Sequence, residues 1–220
     1  RWAAINLPEE WHGREATPIQ NAIYAEEMAR TRAPGIYNAN GIWQIGPMIL
    51  QWGTPEQQQQ WLPGILSADE HWCQGFSEPD AGSDLASLRT RADRDGDEFL
   101  LTGHKVWTSY SDDADWCLAL ARTNHDVARH KGISAFAVPM DQTGIEQRPL
   151  PMINGITKEF GEVLFDGARV PAANMIGDGF YGVDIKQTDS GFIVMEVNDN
   201  PNLEHGIEDQ VGKDEVWTRL

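Results

Sequence analysis

Near Trp72 the hydrophobic period of this 220-residue chain changes, and that change limits the fold more than any other feature. Before it, apolar side chains recur at the spacing of a helix face. After it they alternate in short runs broken by Gly, Asp and Pro. Six or more short strands without intervening helices indicate a small β-barrel or sandwich rather than a wound α/β sheet. The chain is therefore expected to be α+β: a helical N-terminal part, an antiparallel β-barrel, and a C-terminal tail of a β-hairpin and a short helix.

Ile19, Ile23, Tyr24 and Met28 place an amphipathic helix over 17–33, with Thr17 as N-cap, Pro18 at the first helical position and Pro34-Gly35 as the stop. A second apolar helix spans 41–52 and closes at Gly53. Thr54 caps a third, Pro55 and Glu56 suit its first turn, and Pro63-Gly64 should interrupt it. The strand runs are 99–102, 105–108, 116–121, 133–138, 145–150 and 162–165, with Asp95-Gly96 and Asp166-Gly167 as hairpin turns. Two more strands, 181–187 and 192–198, flank the turn Thr188-Asp189-Ser190-Gly191, and a short helix is expected over 203–211.

Composition narrows the function. A formal charge of −17 repels nucleic-acid phosphates and anionic lipid, so neither is an expected partner. No run of about eighteen apolar residues spans a membrane, and the start, Arg1-Trp2-Ala3, lacks the build of a signal peptide and an initiator Met. It reads as internal to a longer frame, in a cytoplasmic protein. Cys73 and Cys117 are far apart and form no CxxC, which makes them free thiols. The six histidines show no ligand spacing, and Asp112-Asp113-Ala114-Asp115 reads as a solvated loop.

The segment Trp72-Cys73-Gln74-Gly75-Phe76-Ser77-Glu78-Pro79-Asp80-Ala81-Gly82-Ser83-Asp84 combines small residues, hydroxyls and backbone N–H groups in a tight turn. About twenty-five residues on, Trp107-Thr108-Ser109 sets hydroxyls beside an indole. Turn N–H groups and hydroxyls suit phosphate, and an aromatic plane suits a ring system, so the two together fit a dinucleotide. A surface turn is the alternative for the first segment alone.

These segments resemble the flavin-binding region of acyl-CoA dehydrogenases. The likeness is collinear over about 1–178, through Leu7-Pro8-Glu9-Glu10, Gly53-Thr54-Pro55-Glu56-Gln57, Leu62-Pro63-Gly64-Ile65-Leu66 and Arg169-Val170-Pro171. It implies a partial N-terminal helical domain over 1–71 and a middle β-barrel domain over 72–178. It implies FAD held by Gln74, Gly75, Phe76, Ser77 and Ser83 on one segment and Trp107, Thr108 and Ser109 on the other, with Ser83 also meeting the acyl-CoA substrate. The implied reaction is α,β-dehydrogenation of a thioester, with electrons passing to an electron-transfer flavoprotein, in a homo-oligomer. Asp80, where the family often has Gly, depart from its pattern, as do Gly161 and His12.

In that family the α-proton is removed by a carboxylate from a C-terminal helical bundle. Here strands follow Asp178, no catalytic residue is nominated, and little activity is expected of this chain alone. Its tail, 179–220, with Glu196-Val197-Asn198 and Asn200-Pro201-Asn202-Leu203-Glu204, resembles the end of an ATP-grasp ligase. That second resemblance implies a metal site at Glu196 and Asn198 for Mg²⁺ and ATP. A non-catalytic flavin- or CoA-binding module and an ATP-grasp remnant stay open as alternatives.

Overall fold

The computed structural model describes residues 2–127, 129–153, 155, 159–177 and the backbone of 182–188 and 191–198. Its order follows the change of period. Helix α1 (Pro18–Thr31) and helix α3 (Pro55–Ser67) each begin at a threonine in a capping box, Thr17 with Gln20 and Thr54 with Gln57. Between them, five π-helical residues (Gly41–Ile45) lead into helix α2 (Gly46–Trp52).

The expected break at Pro63-Gly64 does not occur: Pro63 lies inside α3. A proline in a helix interior costs about 3 kcal/mol. Burial outweighs it, because Trp61, Leu62 and Ile65 are all fully buried and each contributes roughly 1.5–3 kcal/mol on transfer from water.

Eight strands form one mostly antiparallel sheet: β1 (Trp72–Gly75), β2 (Arg91–Asp95), β3 (Glu98–Ser109), β4 (Trp116–Arg122), β5 (Ile133–Pro139), β6 (Ile145–Pro149), β7 (Phe160–Pro171) and β8 (Met175–Ile176). Their path is β6-β7-β3-β2-β4-β5-β8, with β1 branching from β4. The expected barrel is therefore not closed. The ends of the path, β6 and the two-residue β8, do not pair with each other. The edge of β4 is also divided: β1 lies parallel to Trp116–Ala119, leaving β2 a single pairing, Arg91 with Arg122.

Asp95 and Glu98 close the expected hairpin, with Gly96 at φ +63°. Asp166-Gly167 is not a turn. It lies within β7, where the register with β3 shifts and Gly167, at φ +69°, is the extra residue of a bulge.

Strand alternation divides the interior in two. Leu118, Leu120, Ala135 and Ala137 face the helices, with Trp61, Ile65, Ile45, Ile49 and Trp72. Cys117, Ala119, Ala121, Phe136 and Val138 point the other way, against Phe99, Leu101, Val163 and Val170. The indoles of Trp61, Trp72 and Trp116 meet with centroids 5.5 to 5.9 Å apart.

Two buried amides tie helices to sheet. Asn38 donates to the carbonyls of Ile65 and Glu70 and accepts from the Trp72 N–H. Gln57 donates to the carbonyls of Ala173 and Met175 while its oxygen caps α3. By contrast α1 buries no residue, and Ile19 and Ile23 on its apolar face are exposed.

In the tail, β9 (Gly182–Thr188) and β10 (Gly191–Asn198) pair antiparallel as expected. Residues 196 and 198 occupy alternate positions of β10. The expected helix over 203–211 lies outside the described residues.

Replacing Trp61 by Ala should lower the unfolding free energy by about 3–5 kcal/mol, read from urea denaturation followed by near-UV circular dichroism.

Candidate functional site

The two segments singled out in the sequence meet at the end of β1. The Val106 N–H donates to the Ser77 carbonyl at 2.9 Å. One residue earlier on β3, Lys105 is fully buried, and its ammonium donates to the Phe76 carbonyl at 3.1 Å and to Glu78 Oε1 at 2.8 Å. Glu78 also accepts from the N–H groups of Arg89, at 2.7 Å, and Thr90, at 2.9 Å.

Three stretches of chain thus converge on one ion pair: the turn after β1, the end of β3 and the entry to β2. Reciprocal backbone bonds between Glu78 and Ala81 close the turn itself.

Burial and mutual attraction act against each other on the pair. Burial pulls the Lys105 ammonium below its ordinary value, opposed by the charge and hydrogen bond of Glu78. For Glu78, burial pushes up, but the charge and hydrogen bond of Lys105, with bonds from Thr90 and Arg89, outweigh it and hold the carboxyl below the ordinary glutamate value.

The nominated residues divide by face and depth. Gln74 and Ser77 are half-buried, while Gly75 and Phe76 are buried. A Cβ at Gly75 would come within 2.7 Å of Cys117 Sγ, so packing requires the glycine. Ser83 is exposed. Near Gly82 no atom of the described residues, its chain neighbours aside, lies within 4 Å of where a Cβ would stand, so none of them fills the space beside that turn.

On β3 the register with β7 slips between Lys105 and Thr108, setting two residues opposite one. This bulge holds Trp107 at φ +61°, with its indole 62% exposed and edge-on to Phe160. Tyr110, at φ +58°, repeats the left-handed conformation three residues later. Such backbone costs about 1–3 kcal/mol per residue; His12, Glu15, Arg32 and Ala68 also adopt it, the last two as helix C-caps.

Ser109 is half-buried. The Thr108 side chain is fully buried and does not share the exposed surface of Trp107. Gly161, opposite Thr108, leaves no room for a side chain, since a Cβ would lie 2.2 Å from Ser111 Oγ.

Sequence reading missed the Lys105–Glu78 pair and a basic cleft. The cleft, about 370 Å³, is lined by Asp80, Ser87, Leu88, Arg89, Arg122, His125, Val127 and Arg129. Arg122 is committed to the carbonyls of Ala86, Leu88 and Arg129. Arg89 and Arg129 are exposed and only loosely paired, with Asp80 at 3.4 Å and Asp84 at 3.8 Å. No sequence signal marked the cleft: Arg89, Arg122 and Arg129 are three of twelve arginines, spread over about forty positions, and only the fold brings them together.

A separate cavity of about 630 Å³, lined by Trp11, His12, Pro63 and Leu66 among others, touches none of the nominated residues. Cys73 and Cys117, distant in sequence, are register neighbours on β1 and β4, both buried and free. A hydrogen bond with Cys117, then burial, raises the Cys73 thiol well above its ordinary value. Asp115 is also structural, accepting from the His71 N–H, and no metal-holding group of His, Cys, Asp and Glu occurs among the described residues. No helix among them is long and apolar enough to cross a membrane.

Two models of one family match the chain: the acyl-CoA dehydrogenase N-terminal domain over residues 1–69 and the acyl-CoA dehydrogenase middle domain over residues 73–168. The chain belongs to the acyl-CoA dehydrogenase family.

It is 46% identical over 173 residues to acyl-CoA dehydrogenase IpdE1 of Mycobacterium tuberculosis, covering 79% of this chain and 45% of that protein. Among solved structures it is similar to the Tcur3481–Tcur3483 steroid ACAD, with TM-score 0.73 and 36% identity over 80% of this chain and 45% of that one. The ChsE4–ChsE5 complex from Mycobacterium tuberculosis is alike at TM-score 0.73 and 36% identity, over 81% and 45%.

The chain thus spans about half the length of the relatives it matches. The family models stop at residue 168, and nothing in the comparisons supports the ATP-grasp resemblance of 179–220. ATP, Mg²⁺ and a metal role for Glu196 and Asn198 are not carried further; those two side chains lie outside the described set.

Two outcomes are expected of the buried pair. Lys105→Met strands the Glu78 charge and should cost about 3–5 kcal/mol, measured by chemical denaturation. Glu78 binds its proton more weakly folded than unfolded, so its contribution is present above the ordinary glutamate value, about 4.3, and is lost as pH falls through the lower folded value. Glu78→Gln should therefore lower Tm at pH 7 and flatten the fall in Tm between pH 5 and 3.

Proposed function

We propose that this chain is the FAD- and thioester-binding part of an acyl-CoA dehydrogenase, an oxidoreductase that introduces an α,β double bond into an acyl-CoA. The observation that carries the reading is the Val106–Ser77 bond, which joins the small-residue turn to the bulge bearing an exposed indole.

The residues fit a flavin. Trp107 offers a plane for a ring system, Ser77 and Ser109 offer hydroxyl donors, and the open space beside Gly82 leaves room for a phosphate against turn N–H groups. Gln74, Gly75, Phe76 and Thr108 contribute through the backbone and the shape of this wall. FAD, when bound, supplies the hydride acceptor of the reaction. Ser109 would hold the ring through its hydroxyl, a donor suited to an electron-accepting group.

The thioester ligand would lie past Ser83. Arg89 and Arg129, beyond that turn, suit the phosphates of a CoA nucleotide, as guanidinium groups hold phosphate by paired hydrogen bonds. The likeness to a steroid ACAD extends the proposal to bulky as well as straight acyl groups. No described residue is assigned as the base that removes the α-proton. An electron-transfer flavoprotein as acceptor, and assembly with further copies, complete the reading.

The deciding experiment titrates the purified chain with FAD, then adds short-chain and steroid CoA esters with a dye acceptor. Bound FAD together with a bound ester and little turnover supports the reading; bound FAD with no ester binding supports a flavin-binding module; a chain that binds neither FAD nor CoA overturns it. Ser109→Ala should weaken FAD binding about two- to tenfold, the loss of one hydrogen bond between neutral groups. Arg89→Ala with Arg129→Ala should weaken CoA binding several-fold and reduce its dependence on salt, measured by calorimetry at two ionic strengths.

A further inference from the structure

Burying an ion pair as deeply as Lys105 and Glu78 is not explained by stability. Desolvation offsets most of the attraction, and apolar residues of similar volume pack as well or better. An apolar pair cannot hold several backbone groups in fixed directions.

Lys105 and Glu78 do this for three segments at once. The ammonium binds the Phe76 carbonyl, the residue before Ser77. The carboxylate binds the N–H groups of Arg89 and Thr90, which fixes the backbone under the Arg89 side chain of the basic cleft. Lys105 itself stands two residues before Trp107, whose left-handed backbone persists only where the surroundings over-determine it. Close approach adds to this: at Gly103 a Cβ would lie 2.2 Å from Thr90 Oγ1, so β3 is pressed against the entry to β2.

We propose that Lys105 and Glu78 are a positioning pair, which sets the turn of Ser77, the bulge of Trp107 and Ser109, and Arg89 in register as one ligand-binding wall. The proposal rests on the flavin reading for its ligand and on the hydrogen bonds above for its geometry.

The test compares the full wild-type chain with Lys105→Met, Glu78→Gln and the double variant Lys105→Met/Glu78→Leu. The double variant replaces the pair by apolar side chains and keeps the test open if the single variants do not fold. Three quantities are read: Tm, amide hydrogen exchange at Val106, and FAD affinity with the quenching of bound flavin fluorescence.

The double variant is expected to melt within a few degrees of wild type. Its Val106 N–H should exchange at least tenfold faster, its FAD affinity should fall at least tenfold, and flavin quenching should be partly lost. Unchanged Val106 protection, or unchanged FAD affinity, overturns the proposal. So does a double variant that melts far below wild type, because the pair would then be holding the fold rather than the site. A wild type that binds no FAD counts against the flavin reading alone, and Val106 exchange in the double variant still decides the positioning role.

Discussion

The ammonium of Lys105, enclosed with the carboxylate of Glu78, is the constraint around which the candidate wall is arranged. A charge without access to water must have partners in fixed places, and here they come from stretches far apart in sequence. The Phe76 carbonyl requires β1 to end beside β3, and the Arg89 and Thr90 N–H groups require the chain to return past the same point before β2 begins. β1 also inserts parallel along β4. That insertion takes most of the β4 edge from β2, and the sheet stays open at its two ends, β6 and β8, which do not pair with each other.

Packing supports the same arrangement from both sides of β4. Its outward residues Leu118 and Leu120 seal against α3 and the tryptophan cluster. Its inward residues Cys117, Ala119 and Ala121 are small, which lets β1 with Gly75 and the aliphatic stem of Lys105 come close. The amides of Asn38 and Gln57 satisfy carbonyls at the two junctions where helices meet sheet. The candidate wall thus stands on a rigid strand buried on both faces, as the placement of hydroxyls and an indole within hydrogen-bonding tolerance demands.

Much of this was legible in the residues. Thr17 and Thr54 mark their helices because capping is local chemistry, read within three positions. The strands after Trp72 follow from their alternation. Pro63 misled because the local cost of a proline is visible in sequence, whereas the burial of Trp61, Leu62 and Ile65 that outweighs it is not. Asp166-Gly167 misled because a left-handed glycine serves a bulge as well as a turn, and only the register with β3 separates the two. The face of α1 is a plain amphipathic stripe, yet Ile19 and Ile23 have no cover among the described residues.

By itself, then, the sequence determined the change from helix to strand, the helix starts, and the two segments of the candidate site, since each is written in neighbouring residues. Tertiary structure alone decided that those segments touch, that Trp107 turns outward on a bulge while Thr108 turns inward, and that Lys105 and Glu78 face each other out of water. The physical reason is range. Capping, period and turn chemistry act over a few residues, whereas desolvation and hydrogen-bond satisfaction are settled only by what the fold brings together.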